Sequence, residues 1–144
     1  MRERSGRPKV HGRREARRVA LRILYQADVT GRTPVGAMNE VESEEEMVPP
    51  FARELVTGVQ DRLAALDALI GEHARDWPVE RMAVVDRNVL RLACFELLYR
   101  PDVPQGAAIS EAVEAAKELS TEESGRFVNG ILGQIAREAA AREG

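Results

Sequence analysis

Nine basic residues crowd the first 22 positions of the chain: Arg2, Arg4, Arg7, Lys9, Arg13, Arg14, Arg17, Arg18 and Arg22, against only Glu3 and Glu15. The whole 144-residue chain has a formal net charge of −3, so a segment of net +7 precedes a remainder of net −10. A split this steep points to a local polyanion site, nucleic acid before other polyanions; the alternative is a basic tail that adheres without selectivity. Arginine suits phosphate because its planar fork of donors can pair with two oxygens at once.

Part of this charge runs into a helical pattern. At 100° per residue, Ala16, Val19, Ala20, Ile23, Leu24 and Ala27 form one apolar stripe. Arg14, Arg18, Leu21 and Tyr25 fall on the opposite face, with Arg17 beside them. That face begins basic and ends apolar and aromatic. It is either a composite surface, guanidinium groups for phosphate and then a patch for a protein, or a solvated face with two stray hydrophobes.

A second constellation lies near the C-terminus. Val128, Ile131, Leu132 and Ile135 form a core stripe, and Phe127 sits about 100° from its centre, between Arg126 and Val128 and close to Asn129. An off-stripe aromatic beside a cation and an amide can serve as a platform for an unstacked base. The same Phe can equally fill the edge of the core. Gly130 and Gly133 lie off the stripe, where another chain could approach closely.

Catalytic motifs are missing: the chain has no Gly-rich phosphate loop and no nucleophile elbow. His11, His73 and Cys94 are scattered, so neither a metal site nor a cofactor is expected. Cys94 lies in an apolar run and reads as a small core residue. No apolar stretch approaches the roughly 20 residues that span a bilayer, and no apolar run follows the charged start. A cytoplasmic protein that is not an enzyme is expected.

The elements that position these residues read as helices throughout. Aromatics make up 4% of the chain while Ala, Leu, Glu and Arg abound, which favours helices, and the length suits a single domain. The spacing predicts a flexible basic arm over residues 1–12 and a helix from Arg13 to Asp28. A loop or weak acidic segment is expected over 31–48, where Glu40, Glu42, Glu44, Glu45 and Glu46 cluster. A second helix starts at Pro49-Pro50, with Phe51, Leu55, Val56, Val59 and Leu63 facing in, and a turn or short helix covers 64–73. Trp77-Pro78 marks a subdomain boundary, giving subdomains 13–76 and 77–144.

Residues 79–99 form a long, nearly all-round apolar helix broken near Asp86, which is read as its N-cap. Arg87, Asn88 and Arg91 make its narrow polar edge, and Glu96 is read as a buried structural carboxylate. A helix over 105–119 turns Ile109, Val113 and Ala116 inward. Ser120-Thr121-Glu122-Glu123 is read as a capping box that opens the last helix, about 121–142. No strand and no internal repeat is visible.

These residues carry a family resemblance. The run Val89-Leu90-Arg91-Leu92-Ala93-Cys94-Phe95-Glu96-Leu97-Leu98 resembles the central-helix signature of the NusB family. Asp102-Val103-Pro104, Ile109-Ser110-Glu111-Ala112-Val113 with Ala116-Lys117, and Arg126-Phe127-Val128-Asn129-Gly130-Ile131-Leu132 follow in that family's order and spacing. Arg13-Arg14-Glu15-Ala16-Arg17 through Leu24-Tyr25 is similar to its N-terminal arginine motif. The resemblance covers about residues 12–140; the C-terminal half carries most of its specificity.

The resemblance implies an all-α fold of six to seven helices in two small bundles. It implies a transcription antitermination factor that binds the single-stranded boxA element of nascent ribosomal RNA transcripts. It implies as binding partner the small-subunit ribosomal protein NusE, in a complex that joins other Nus factors on RNA polymerase. By the family pattern Arg13, Arg14, Arg17, Arg126 and Phe127 match RNA-facing positions, and Tyr25 and Asp86 match positions facing NusE. The arm before Arg13 is longer than the family minimum, and the acidic segment 40–46 is unusually charged. A related helical domain occurs fused to a ribosomal RNA cytosine methyltransferase; the chain's end near residue 144 is read against that form. A helical adaptor that binds only protein is the competing reading, separated from the first by RNA affinity with sequence preference. Monomer and homodimer both stay open, because a surface carrying Arg and Tyr can also pack on its own copy.

Overall fold

Seven α-helices and one short 3-10 turn account for most of the backbone in the computed structural model, which describes residues 9–44, 47–75 and 77–143. They are α1 (Lys9–Thr30), α2 (Pro34–Ser43), α3 (Pro50–Asp61), α4 (Leu63–His73), the 3-10 turn Val79–Arg81, α5 (Val84–Tyr99), α6 (Gln105–Leu119) and α7 (Glu122–Glu143). No strand occurs among the described residues. The fold is all-α, as the periodicity predicts.

Helix α1 begins earlier than the pattern suggests. Lys9 to Gly12, expected in the flexible arm, are already helical, while the rest of that arm, residues 1–8, lies outside the described residues. Its far end is a Schellman turn: Arg32 N–H donates to the Ala27 carbonyl at 2.9 Å and Gly31 N–H to the Asp28 carbonyl at 3.4 Å. Gly31 takes φ +74°, the left-handed conformation a glycine adopts without steric cost.

The acidic segment is the main departure from expectation. Residues 34–43 form helix α2 rather than a loop. Thr33 caps it, its Oγ1 accepting the Gly36 N–H at 3.0 Å, and Pro34 occupies the first helical position. Ala37 and Met38 are buried. The acidic side chains are partly neutralised: Glu40 pairs with Arg32 and Glu42 with Arg53. The hydrogen bond and charge of Arg32 hold the Glu40 carboxyl below the usual carboxylate range. Neither cation belongs to the basic arm. Glu45 and Glu46 lie outside the described residues.

Two compact units result, the first ending at Gln60 and the second beginning at Asp61. The boundary lies before the expected Trp77-Pro78 break, because α4 packs within the second unit against α5 and α7. In the first unit α2 packs on α1, and the Gln60 Oε1 accepts the Val35 N–H at 2.8 Å, tying the end of α3 to the start of α2. Leu55, Val56 and Val59 of α3 are fully buried.

In the second unit α5 is the central helix, packed by α4, α6 and α7. Val89, Leu90, Leu92, Ala93, Cys94 and Phe95 are all buried. Burial, with the Asp67 charge adding to it, pushes the Cys94 thiol up to about 12. Of the expected polar edge, Asn88 is buried too, and it is satisfied: its amide donates to the Val84 carbonyl at 2.9 Å. Arg91 grips Asp67 of α4 bidentately at 2.8 and 2.9 Å and donates to Asn88 Oδ1 at 3.1 Å. Such fork-to-carboxylate pairs fix geometry as well as charge.

The inward face of α6 differs in part from the expected one: Ala116 is buried as expected, Ile109 and Val113 are not. Ala108, Ala112, Ala115 and Ala116 are buried, while Ile109 and Val113 lie at the flanks. Small residues let α6 approach α7 and α5 closely, and that packing outweighs the larger side chains in choosing the phase. Glu96 is fully buried, as expected.

Candidate nucleic-acid and partner surfaces

The first unit carries the arginine motif on the N-terminal half of α1. Arg14 is exposed; Arg13 and Arg17, four residues apart and so on one side of the helix, are half-buried. Both reach the same aromatic ring. The Arg13 guanidinium lies over Phe51 at 4.4 Å from the ring centroid and that of Arg17 at 5.7 Å. Phe51 sits in the first turn of α3, just after Pro50. Phe51, expected in the core stripe, is half-buried, with its ring under the two guanidiniums.

The opposite-face stripe of α1 is only partly a surface. Arg14 and Tyr25 are exposed, Tyr25 at 43%, but Leu21 is buried at 5%. Leu21 was expected on the exposed face. A helix covered by more than one neighbour buries a wider arc than a single stripe, and the unexpected helix α2 packs on α1. The exposed apolar strip runs on from Tyr25 to Val29, one turn further, a residue the sequence reading did not single out.

In the second unit, Arg126 and Asn129 of α7 are exposed and Phe127 is half-buried between the exposed side and the buried Val128, Ile131, Leu132 and Ile135. A side chain added at Gly130 would meet open space. At Gly125, by contrast, a Cβ would sit 2.6 Å from Lys117 Cγ, so the close approach there is made by α6 of the same chain.

Asp86 is not an N-cap. Helix α5 starts at Val84, its N-cap Ala83 makes no side-chain cap, and Asp86 stands in the first turn, buried at 9% exposure. Its Oδ2 accepts the Ser124 hydroxyl of α7 at 3.1 Å, while Oδ1 is buried with no donor. Burial raises the Asp86 pKa and the Ser124 hydrogen bond offsets this only in part. The capping of α7 is also one residue off the expected box: Thr121 Oγ1, rather than Ser120, accepts the Ser124 N–H at 2.9 Å. Ser120 Oγ lies 3.0 Å from Ser124 Oγ, so Ser120, Thr121 and Ser124 form one hydroxyl cluster beside Asp86. Ser124 carried no signal in the sequence beyond its place near a helix start.

Among the described residues no group of His, Cys, Asp and Glu side chains is arranged to hold a metal, and no helix is long and apolar enough to cross a membrane. The fold and these surfaces define an all-helical binding protein of two compact units, with guanidinium groups held on one helix face and an exposed arginine next to a half-buried phenylalanine in the sequence of another helix. The NusB family profile matches residues 14–137, and the chain belongs to the NusB family. It is 47% identical over 135 residues to the transcription antitermination protein NusB of Heliobacterium modesticaldum, covering 92% of this chain and 66% of that protein. It is likewise 47% identical over 126 residues to the NusB of Pelotomaculum thermopropionicum, covering 85% and 88%. Among solved structures, NusB of T. maritima superposes with a TM-score of 0.80 at 39% identity, over 88% of this chain and 91% of that one. A crystal structure of antitermination factors NusB and NusE in complex with dsRNA matches with a TM-score of 0.80 at 28% identity, over 90% and 98%. The protein is a transcription antitermination factor of this family.

Proposed function

We propose that this protein exerts antitermination by binding the single-stranded boxA element of nascent ribosomal RNA transcripts together with ribosomal protein NusE. The complex then joins other Nus factors on RNA polymerase and promotes ribosomal RNA transcription. It works in the cytoplasm by binding alone, with no catalytic step. The observation that carries this reading is the pair Arg13 and Arg17 held on one ring beside the exposed Arg14, a fixed cluster of phosphate-pairing groups. Arg126 and Phe127 of the second unit supply a further cation and a surface on which a base stacks. Tyr25, extended by Val29, forms an exposed apolar strip suited to a protein partner. Asp86, at the position that faces NusE by the family resemblance, supplies a carboxylate in the first turn of α5, anchored by the Ser124 hydroxyl.

The test is a titration of boxA-like RNA against a scrambled strand, with and without NusE, across a range of salt. Neutralisation of about 3–4 phosphates gives log K a slope of roughly −2 to −3 against log salt. Equal affinity for both strands, with NusE present, contradicts the reading and favours an adaptor that binds protein only.

A further inference from the structure

We propose that Phe51 is a positioning residue for RNA: its ring holds the Arg13 and Arg17 guanidiniums in place, and both stay on the ring while they pair with backbone phosphate. The inference rests on the reading of α1 as the RNA surface.

Both guanidiniums lie within 5.7 Å of one ring centroid, and the face of that ring is the negative end of its quadrupole. The attraction restricts each guanidinium on the ring. The planar fork of donors on a guanidinium suits a phosphodiester. Long arginine side chains lose much rotamer freedom when they are fixed, and a ring that has already restricted them lowers that cost at binding. The chain builds this support deliberately far from the motif in sequence: Pro50 starts α3, Phe51 follows in its first turn, and α3 is tied to α2 by the Arg53–Glu42 pair and the Gln60–Val35 hydrogen bond.

The experiment compares Phe51→Leu, Phe51→Met, Phe51→Tyr and the double variant Arg13→Ala/Arg17→Ala by titration with boxA-like RNA at several salt concentrations. Each is paired with a thermal melt and a far-ultraviolet helicity spectrum. Leu and Met remove the quadrupole and keep an apolar side chain; Tyr keeps the ring. Phe51→Leu and Phe51→Met are expected to weaken RNA binding by about 3- to 10-fold at fixed salt with an unchanged salt slope, because every charge remains. Phe51→Tyr is expected to restore wild-type affinity. The double arginine variant is expected to flatten the slope by about 1.4, two phosphate contacts at the single-strand coefficient.

Unchanged or tighter binding in Phe51→Leu and Phe51→Met, with the arginine variant still impaired, overturns the positioning role; tighter binding would mean that the ring sequesters the arginines. A loss that follows melting temperature across all three Phe51 variants, Tyr included, also overturns it, since packing then explains the effect. If the arginine variant itself keeps both affinity and slope, the RNA reading of α1 fails, and the inference fails with it.

Discussion

His73 Nε2 on α4 lies 2.9 Å from Glu138 Oε1 on α7, while His73 Nδ1 lies 2.9 Å from the Leu69 carbonyl oxygen. Both ring nitrogens face acceptors, and only the imidazolium form has two N–H donors to offer them. Burial works against that charge; the Leu69 carbonyl, the Glu138 carboxylate and the nearby Glu72 charge outweigh it and raise the His73 pKa above 6.5.

A histidine whose folded pKa is raised contributes stability that is fully present below its unfolded pKa and is lost as pH rises through the folded value. The stability gap between the wild type and His73→Gln is therefore expected to be widest below pH 6.5 and to close as pH climbs above it. Chemical denaturation from about pH 5 to about pH 9 measures this. A gap that stays constant over that range would show that the contact is not charge-dependent.

Asp86 has a linkage of the same sign, displaced to the acid range. Its folded pKa is raised above 3.8, so the fold disfavours its charged form, and stability falls as pH rises from 3.8 through the folded value. Asp86→Asn keeps an acceptor for Ser124 and removes that charge. It is expected to fold, to lose this acid-range dependence, and to weaken NusE binding where the partner reads the charge of Asp86. Asp86→Lys places a cation at a buried site and is expected to cost at least about 1–3 kcal/mol of stability. Asp86→Asn is thus the cleaner partner test, and normal NusE affinity in that variant would leave Asp86 with its Ser124 contact alone.

Phe127→Asp is expected to weaken RNA binding by roughly 1–3 kcal/mol, the range for base stacking on an aromatic side chain. Its half-burial sets the accompanying stability loss below the roughly 3–5 kcal/mol of a fully buried Phe. RNA titration and thermal melts on the same preparation separate the two effects. A melt as damaging as that of Leu132→Ala, a core truncation, with RNA affinity intact, would make Phe127 a packing residue.

The glycines of α7 give a paired prediction. Gly130→Ala meets open space and gains helix propensity, so it is expected to raise stability by roughly 0.5–1 kcal/mol. Gly125→Ala drives a Cβ into the Lys117 stem and is expected to gain less or to lose stability. Comparing their denaturation midpoints decides the matter; equal gains would mean that Lys117 moves aside freely.

Much of this molecule was legible in its residues, and the rest was not for definite reasons. The stripes of α1, α5 and α7 predict buried Ala16, Leu90 and Leu132, because helical period and apolar spacing are local properties. The exposure of Arg14, Tyr25 and Arg126 follows from the same geometry. Helix α2 is not evident in the sequence because the five glutamates of segment 40–46, two of them inside the helix, outweigh a Thr-Pro start and the apolar Val35, Ala37, Met38 and Val41; the cations that pair with Glu40 and Glu42 stand outside the helix. The face of α6 turned out to be alanine rather than Ile109 and Val113, since closeness of approach depends on the neighbour and not on the helix itself.

By itself, then, the sequence determined the all-helical class, the position of most helices, the family, and the residue types available for phosphate and for a base. Only the tertiary structure decided which groups meet. It put Arg13 and Arg17 on a ring 38 and 34 residues away, drew Asp86 to Ser124 across another 38, and buried Leu21 on a face that the helical wheel left open. The physical reason is common to all three. Periodicity is written along the chain, whereas ring contacts, hydrogen bonds between helices and burial depend on distances between segments that no local spacing encodes.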